Sequence, residues 1–257
     1  MGNKYKKHFL KSVIFRIDLA QSLSQSKKLA FDFHEIIKEK FPTKEDISGI
    51  RFEATMGLVG KDQGTVKQTQ HTVTSYKFTD ASGKTILVLE PEPSNLNLSF
   101  NSYNNSDELK EFIDSIIEAF KRTYGIILIK RIGLRYINNI DITEGDAFDW
   151  GLFINDHLVS MLDFSPNKGE TSRAIGRIEL NKDTHKVQFY YGIANPEYPN
   201  PIARKEFILD YDCYSTDEIN ITDVPSTVKI LHDEIKSLFE RSILDGLRER
   251  MGVVGDE

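Results

Sequence analysis

Stretches that alternate apolar and polar residues follow one another along this chain, with few helical stretches between them. That order constrains the fold more than any single residue does. Strands joined in series by short turns build an antiparallel sheet, whereas a parallel doubly wound sheet needs a helix after nearly every strand. The first such stretch is the clearest. Val13, Phe15, Ile17 and Leu19 fall on one side and Arg16 and Asp18 on the other, the pattern of a half-buried strand. Residues 27–41 then place Leu29, Phe33, Ile36, Ile37 and Phe41 at helical spacing, and Pro42 stops the helix.

Strands are expected next over about residues 49–59, 66–79, 84–90 and 95–102, separated by Gly60 to Gly64, by Asp80-Ala-Ser-Gly83 and by Pro91-Glu-Pro93. The clearest helix follows, with Leu109, Phe112, Ile113, Ile116, Ile117, Phe120 and Tyr124 as a continuous stripe. Asn105 and Glu108 form a candidate capping box before it, and Gly125 stands where it should stop. The order then recurs. A strand is expected over 126–140, a helix over 148–162, and strands over 172–181, 185–193 and 204–215. A long terminal helix carries Val228, Leu231, Ile235, Leu238, Phe239, Leu247 and Met251 on its inner face.

The expected fold class is therefore α+β: a mainly antiparallel sheet with helices on one face. It is built from two tandem strand–helix–strands–helix segments, 1–125 and 126–257, forming one compact unit. Two known architectures share this order: the saddle of the TATA-binding protein and the helix-grip type, in which a curved sheet wraps a long C-terminal helix. Neither settles a function.

Composition narrows the function classes. The net charge of −6 argues against broad binding to a phosphate backbone. One cysteine, Cys213, excludes an internal disulfide and fits a cytoplasmic protein. No apolar run approaches about 18 residues, so no membrane helix is expected. The basic stretch before Val13 has neither the apolar core nor the cleavage site of a signal peptide, and Lys6 spoils a myristoylation signal.

The most unusual segment is Arg131-Ile-Gly-Leu-Arg-Tyr-Ile-Asn-Asn139. Period two puts Arg131, Gly133, Arg135, Ile137 and Asn139 on one face. The two guanidiniums then stand about 13 Å apart along the strand, with a glycine between them. Arg131, Arg135 and Asn139 are thus candidates for holding an anion or a partner, because arginine forks match carboxylate and phosphate. The competing reading is internal pairing. Asp210 and Asp212 share a face of their own strand and would neutralise the two arginines across the sheet.

Together with R-I-G-L-R-Y-I-N at 131–138, the strand L-K-S-V-I-F at 10–15 and the helical H-x-x-I-x-x-x-F at 232–239 carry a resemblance. The chain resembles a sporadically distributed family of uncharacterised bacterial and archaeal proteins of about this length. The match spans nearly the whole chain. It implies no activity, cofactor or catalytic residue. The patchy distribution of such proteins is similar to that of genes carried in mobile or host-defence clusters.

The sequence otherwise carries no recognisable catalytic motif. The six histidines form no HExxH and no cysteine–histidine pair, so neither zinc nor another metal site is expected, and no cofactor. Ser165 to Thr171 lacks the first glycine of a P-loop, and no G-x-S-x-G elbow occurs. No catalytic residue is assigned. Cys213 reads as a small buried hydrophobe and His232 as a helix histidine with a hydrogen-bond partner. Phe189, Tyr190, Tyr191, Tyr198, Tyr211 and Tyr214 make the C-terminal sheet aromatic, a property of packing and interfaces as well as of base-stacking modules. The leading expectation is a non-catalytic interaction or accessory protein that binds another protein or a second copy of itself. A small-molecule or anion-binding module is the alternative, and a nucleic-acid-binding saddle comes third.

Overall fold

The structure is a computed structural model that describes residues 4–23, 26–58, 64–92, 94–101, 106–126 and 128–254. The first segment contributes β1 (Lys4–Tyr5), β2 (Leu10–Leu19), α1 (Lys27–Ile37), β3 (Thr43–Leu58), β4 (Gly64–Thr79), β5 (Thr85–Glu90), β6 (Asn95–Phe100) and α2 (Ser106–Tyr124). The second contributes β7 (Leu128–Asp141), α3 (Asp156–Val159), β8 (Ala174–Asn181), β9 (His185–Ile193), β10 (Glu206–Ser215), β11 (Ile219–Asn220), α4 (Val224–Ser242), α5 (Asp245–Met251) and β12 (Val253–Val254). The class is α+β, with a large antiparallel sheet.

All the long strands join one sheet in the order β3-β4-β5-β6-β2-β7-β10-β9-β8, and β11 adds to β7. In each segment the later strands run as a meander that ends beside the segment's first long strand. The first long strands of the two segments, β2 and β7, pair antiparallel at the centre, with Phe15 opposite Leu134 and Ile17 opposite Ile132. The same register carries a row of side chains from one edge nearly to the other. Phe78, Leu87, Leu98, Phe15, Leu134, Cys213 and Val187 are successive neighbours on adjacent strands, and every one is fully buried.

The helices cover this face. From α1, Phe33 packs edge-on to Phe78 and to Phe120 of α2, and Phe112 of α2 meets Phe41 and Phe100. On the other segment, α4 lies on β7 and β10. There, Tyr211 donates to Ser242 Oγ at 2.8 Å inside the core. Each fully buried Leu, Ile or Phe contributes roughly 1.5–3 kcal/mol, so this layer is the main source of stability. Among the described residues no helix packs on the opposite face of the sheet, and β2, β7 and β10 turn their polar residues toward it.

Three sequence expectations need correction. The helix expected over 148–162 reduces to α3 and one following 3-10 turn. Ile154 makes an antiparallel bridge to Ile243, which holds the chain extended, and Asn155 caps the helix by accepting from the His157 amide at 3.0 Å. The long terminal helix is two helices. Residues Ile243 and Leu244 are extended, and the Leu244 amide donates to Phe153 O at 2.8 Å. The same excursion causes both departures: the 150s and the 240s satisfy each other's backbone. The helix expected over 27–41 ends at Ile37, with a turn before Phe41. Asn105 of the proposed capping box lies outside the described residues.

Strands β3 and β4 pair along their whole length, from Thr43 opposite Thr79 to Leu58 opposite Gly64. Only Tyr76 to Thr79 of β4 also pair with β5, so most of this hairpin is a two-stranded ribbon running past the main sheet. Among the described residues no helix is long and apolar enough to cross a membrane.

Candidate functional site

The polar residues of the central strands gather on the open face. Register fixes their neighbours: Arg16 lies opposite Gly133, Ile14 opposite Arg135, and Asp18 opposite Arg131. On the other side of β7, Tyr214 lies opposite Gly133 and Asp212 opposite Arg135. Further out, Gln188 stands beside Asp212 and Tyr190 beside Asp210. Alternation along four strands thus assembles arginine, aspartate and tyrosine around one glycine.

The pairing differs in detail from the sequence reading. Arg135 does meet an aspartate of β10, but the diagonal one. Its Nε donates to Asp210 Oδ1 at 2.8 Å and its Nη2 to Asp210 Oδ2 at 2.6 Å, a two-pronged fork. That bond is the main reason its proton is held more tightly than in free arginine. Arg131 bonds neither Asp210 nor Asp212. It turns to the other neighbouring strand and donates Nε to Asp18 Oδ2 at 2.7 Å, while Arg16 Nε donates to Asp18 Oδ1 at 2.7 Å. Arg131 also lies over the Tyr214 ring, 5.2 Å from its centroid.

Asp212 is left without a hydrogen bond or ion pair among the described residues. Burial pushes its carboxyl above the ordinary carboxylate range. Arg135 draws it down, Asp210 pushes it up, and Arg131 and Arg16 draw it down in turn. Asn139 stands apart from this cluster, with its side chain reaching Glu206 at 3.5 Å and its amide bonded to Phe9 O. Of the named candidates, Arg131, Arg135, Asp210 and Asp212 come together and Asn139 does not. Arg16, Asp18 and Tyr214 complete the cluster. Arg16 and Asp18 were readable as outward positions of the first strand, but nothing in the sequence said that β2 would be the neighbour of β7.

Around Gly133 these residues enclose a hollow of about 280 Å³, rimmed by Arg16, Arg131, Arg135, Asp212 and Tyr214. A second hollow of about 350 Å³ adjoins it through Arg135 and Asp212 and extends over Gln188 and Tyr190 to Gly192. The two glycines differ. A Cβ at Gly192 would fall 2.1 Å from Ala174 O at a φ of +126°, so only glycine fits. A Cβ at Gly133 would stand 3.9 Å from both Arg16 Cβ and Tyr214 Cβ, so the backbone does not demand glycine there.

Two titratable groups outside this cluster are embedded in packing. His232 Nδ1 meets the Tyr136 hydroxyl at 2.9 Å, and burial holds the imidazole below its usual value. Burial pushes the Cys213 thiol up to about 12, which keeps it protonated at neutral pH. Among the described residues no three His, Cys, Asp or Glu side chains form a group able to hold a metal ion. No family model matches the chain, and neither a curated protein nor a solved structure is significantly similar to it.

Proposed function

We propose that the protein is a non-catalytic accessory factor that docks a second protein on the open face of its sheet. The observation that carries this reading is the character of that face. Its centre presents Arg16, Arg131, Arg135, Tyr190 and Tyr214 on adjacent strands, each only partly buried, above a core that is fully closed on the other side. Tyrosine and arginine are the residue types enriched in the energetic centres of protein interfaces. Here they are also pre-ordered. Arg135 is forked onto Asp210, Arg131 lies over Tyr214, and Arg177 stands 5.1 Å from the centre of the Tyr190 ring. Side chains already held in place lose less rotamer freedom on binding, so more of the contact energy remains for affinity.

The experiment is co-purification from the native host of the tagged full chain and of a variant carrying Arg177→Ala, Tyr190→Ala and Tyr214→Ala. These are exposed or half-buried side chains outside the core row, and a cooperative melting transition of the purified variant shows that it remains folded when its partner is scored. A protein that accompanies the wild type at fixed stoichiometry and is lost from the variant supports the reading. Equal recovery with both chains contradicts it. Nuclease-sensitive nucleic acid lost from the variant in place of a protein would support a nucleic-acid saddle instead.

A further inference from the structure

We propose that the hollow over Gly133 is an oxyanion subsite, taking a carboxylate or phosphate-like group on Arg16 and Arg131, and that Asp212 is the group that opposes and tunes its occupancy. The inference goes beyond protein docking and does not depend on it.

The rim of the hollow carries hydrogen-bond donors without acceptors among the described residues. A guanidinium carries five N–H groups in a planar fork and accepts nothing. Arg16 and Arg131 each use only Nε, both on the one carboxylate of Asp18, while Arg135 uses Nε and one Nη on Asp210. The Nη groups of Arg16 and Arg131 therefore have no acceptor among the described residues. The two side chains lie on adjacent strands at one rim of the hollow, and each is about two-fifths exposed. Two cations sharing one anion leave a net positive charge at that rim. The floor is open because position 133 has no side chain, although a methyl group would fit. An incoming oxyanion can thus approach the strand closely and accept from two forks, the geometry in which arginine binds carboxylate and phosphate best.

Asp212 stands on the far rim and makes the site conditional. It is the one carboxylate of the cluster without a hydrogen bond among the described residues, and a bound anion would add a second negative charge beside it. The charged and titratable groups around it are Arg16 and Asp18 of β2, Arg131 and Arg135 of β7, Asp210 and Tyr214 of β10, and Lys186 and Tyr190 of β9. With all three aspartates ionised, the three central arginines are balanced and an anion gains little. With Asp212 protonated, one positive charge is unbalanced and the acid becomes a donor to the same anion. Anion binding should therefore take up a proton on Asp212 and strengthen as pH falls.

Sulfate is the suitable first probe because it keeps its charge between about pH 5 and about pH 8, so any pH dependence belongs to the protein. Binding is followed through the arginine side-chain resonances of the full chain. The wild type should bind sulfate more tightly at the lower pH. Asp212→Asn should bind about tenfold more tightly than wild type at the higher pH, as expected for removing one nearby like charge, and should lose most of the pH dependence. Arg131→Ala should abolish binding, while Arg16 keeps Asp18 paired and the chain folded. Arg131→Lys, which keeps the charge but not the fork, should fall between. Acetate compared with sulfate at the higher pH separates the sources: tighter acetate indicates a planar carboxylate, tighter sulfate a phosphate-like group. The proposal fails if Asp212→Asn binds sulfate no more tightly than wild type, or if Arg131→Ala leaves binding unchanged.

Discussion

The two faces of the central sheet are made by the same strands and behave as different materials. On β7, Ile132 and Leu134 are fully buried and Tyr136 is nearly so, while the intervening Arg131, Gly133 and Arg135 lie half-buried on the opposite side. Every second residue answers to the helix layer and every other one to the open, half-buried face. The helix face is held by area removed from water, which tolerates no loss of volume. The open face is held by directional bonds among arginine and aspartate, which can be exchanged one at a time. One strand therefore packs a closed core on one side and carries a bonded polar cluster on the other, and substitutions on the two sides should fail in different ways.

The largest effect should come from the helix face. Leu134→Ala removes a fully buried side chain from the middle of the row and should cost about 2–5 kcal/mol, measured by chemical denaturation. A cost below about 1 kcal/mol would show that the core row is not the main support of the sheet.

Arg135→Ala on the open face should cost less, about 1–3 kcal/mol, because it strands Asp210 while solvent still reaches part of the pair. The comparison partner is Lys168→Ala, whose surface pair with Asp163 should contribute under about 0.5 kcal/mol. Equal denaturation midpoints for these two variants would remove the claim that the Arg135 fork is structural.

Asp212→Asn should go the other way. Its carboxyl is raised above the unfolded value by burial, so the ionised form is disfavoured in the folded state. The stability associated with Asp212 is fully present below about pH 4, the ordinary carboxylate range, and is lost as pH rises through the raised folded value. Replacing it with asparagine should raise the melting temperature by about 2 °C at neutral pH, a modest gain because the group is not fully buried. The gain should vanish below about pH 4, and a gain of equal size at every pH would contradict the assignment.

Among the substitutions on the open face, the smallest effect is expected at Gly133→Ala. A methyl group fits there, and glycine is unfavourable inside a strand by roughly 0.5–1 kcal/mol relative to alanine, so a slight stabilisation should appear by the same denaturation measurement.

Much of this architecture was legible because period-two alternation and a turn signal are local. The strand at 185–193 matches β9 residue for residue, and the stripe from Leu109 to Phe120 is the buried side of α2. The departures share a non-local cause. Nothing near Ile154 announces that it will bridge to Ile243, a contact that cuts both expected helices. The site follows the same rule. Alternation alone put Arg131 and Arg135 on one face of their strand and Asp210 and Asp212 together on one face of theirs. Which aspartate meets which arginine depends on strand order and on diagonal reach across the sheet. Arg135 reaches Asp210 rather than its direct neighbour, and Arg131 takes Asp18, which lies over a hundred positions away in the chain. Hence the cluster's membership was partly readable and its pairing was not.

The central claim is that the open face, and not the helix layer, is the recognition surface. Hydroxyl-radical footprinting of the full chain, alone and with its co-purified partner, tests it directly. Tyr190 and Tyr214 report on the open face, while Phe31 of α1 and Ile230 of α4 are large apolar side chains exposed on the helix side. The account predicts strong protection of Tyr190 and Tyr214 in the complex, with Phe31 and Ile230 unchanged. Protection of Phe31 and Ile230 with no change at the two tyrosines would contradict it.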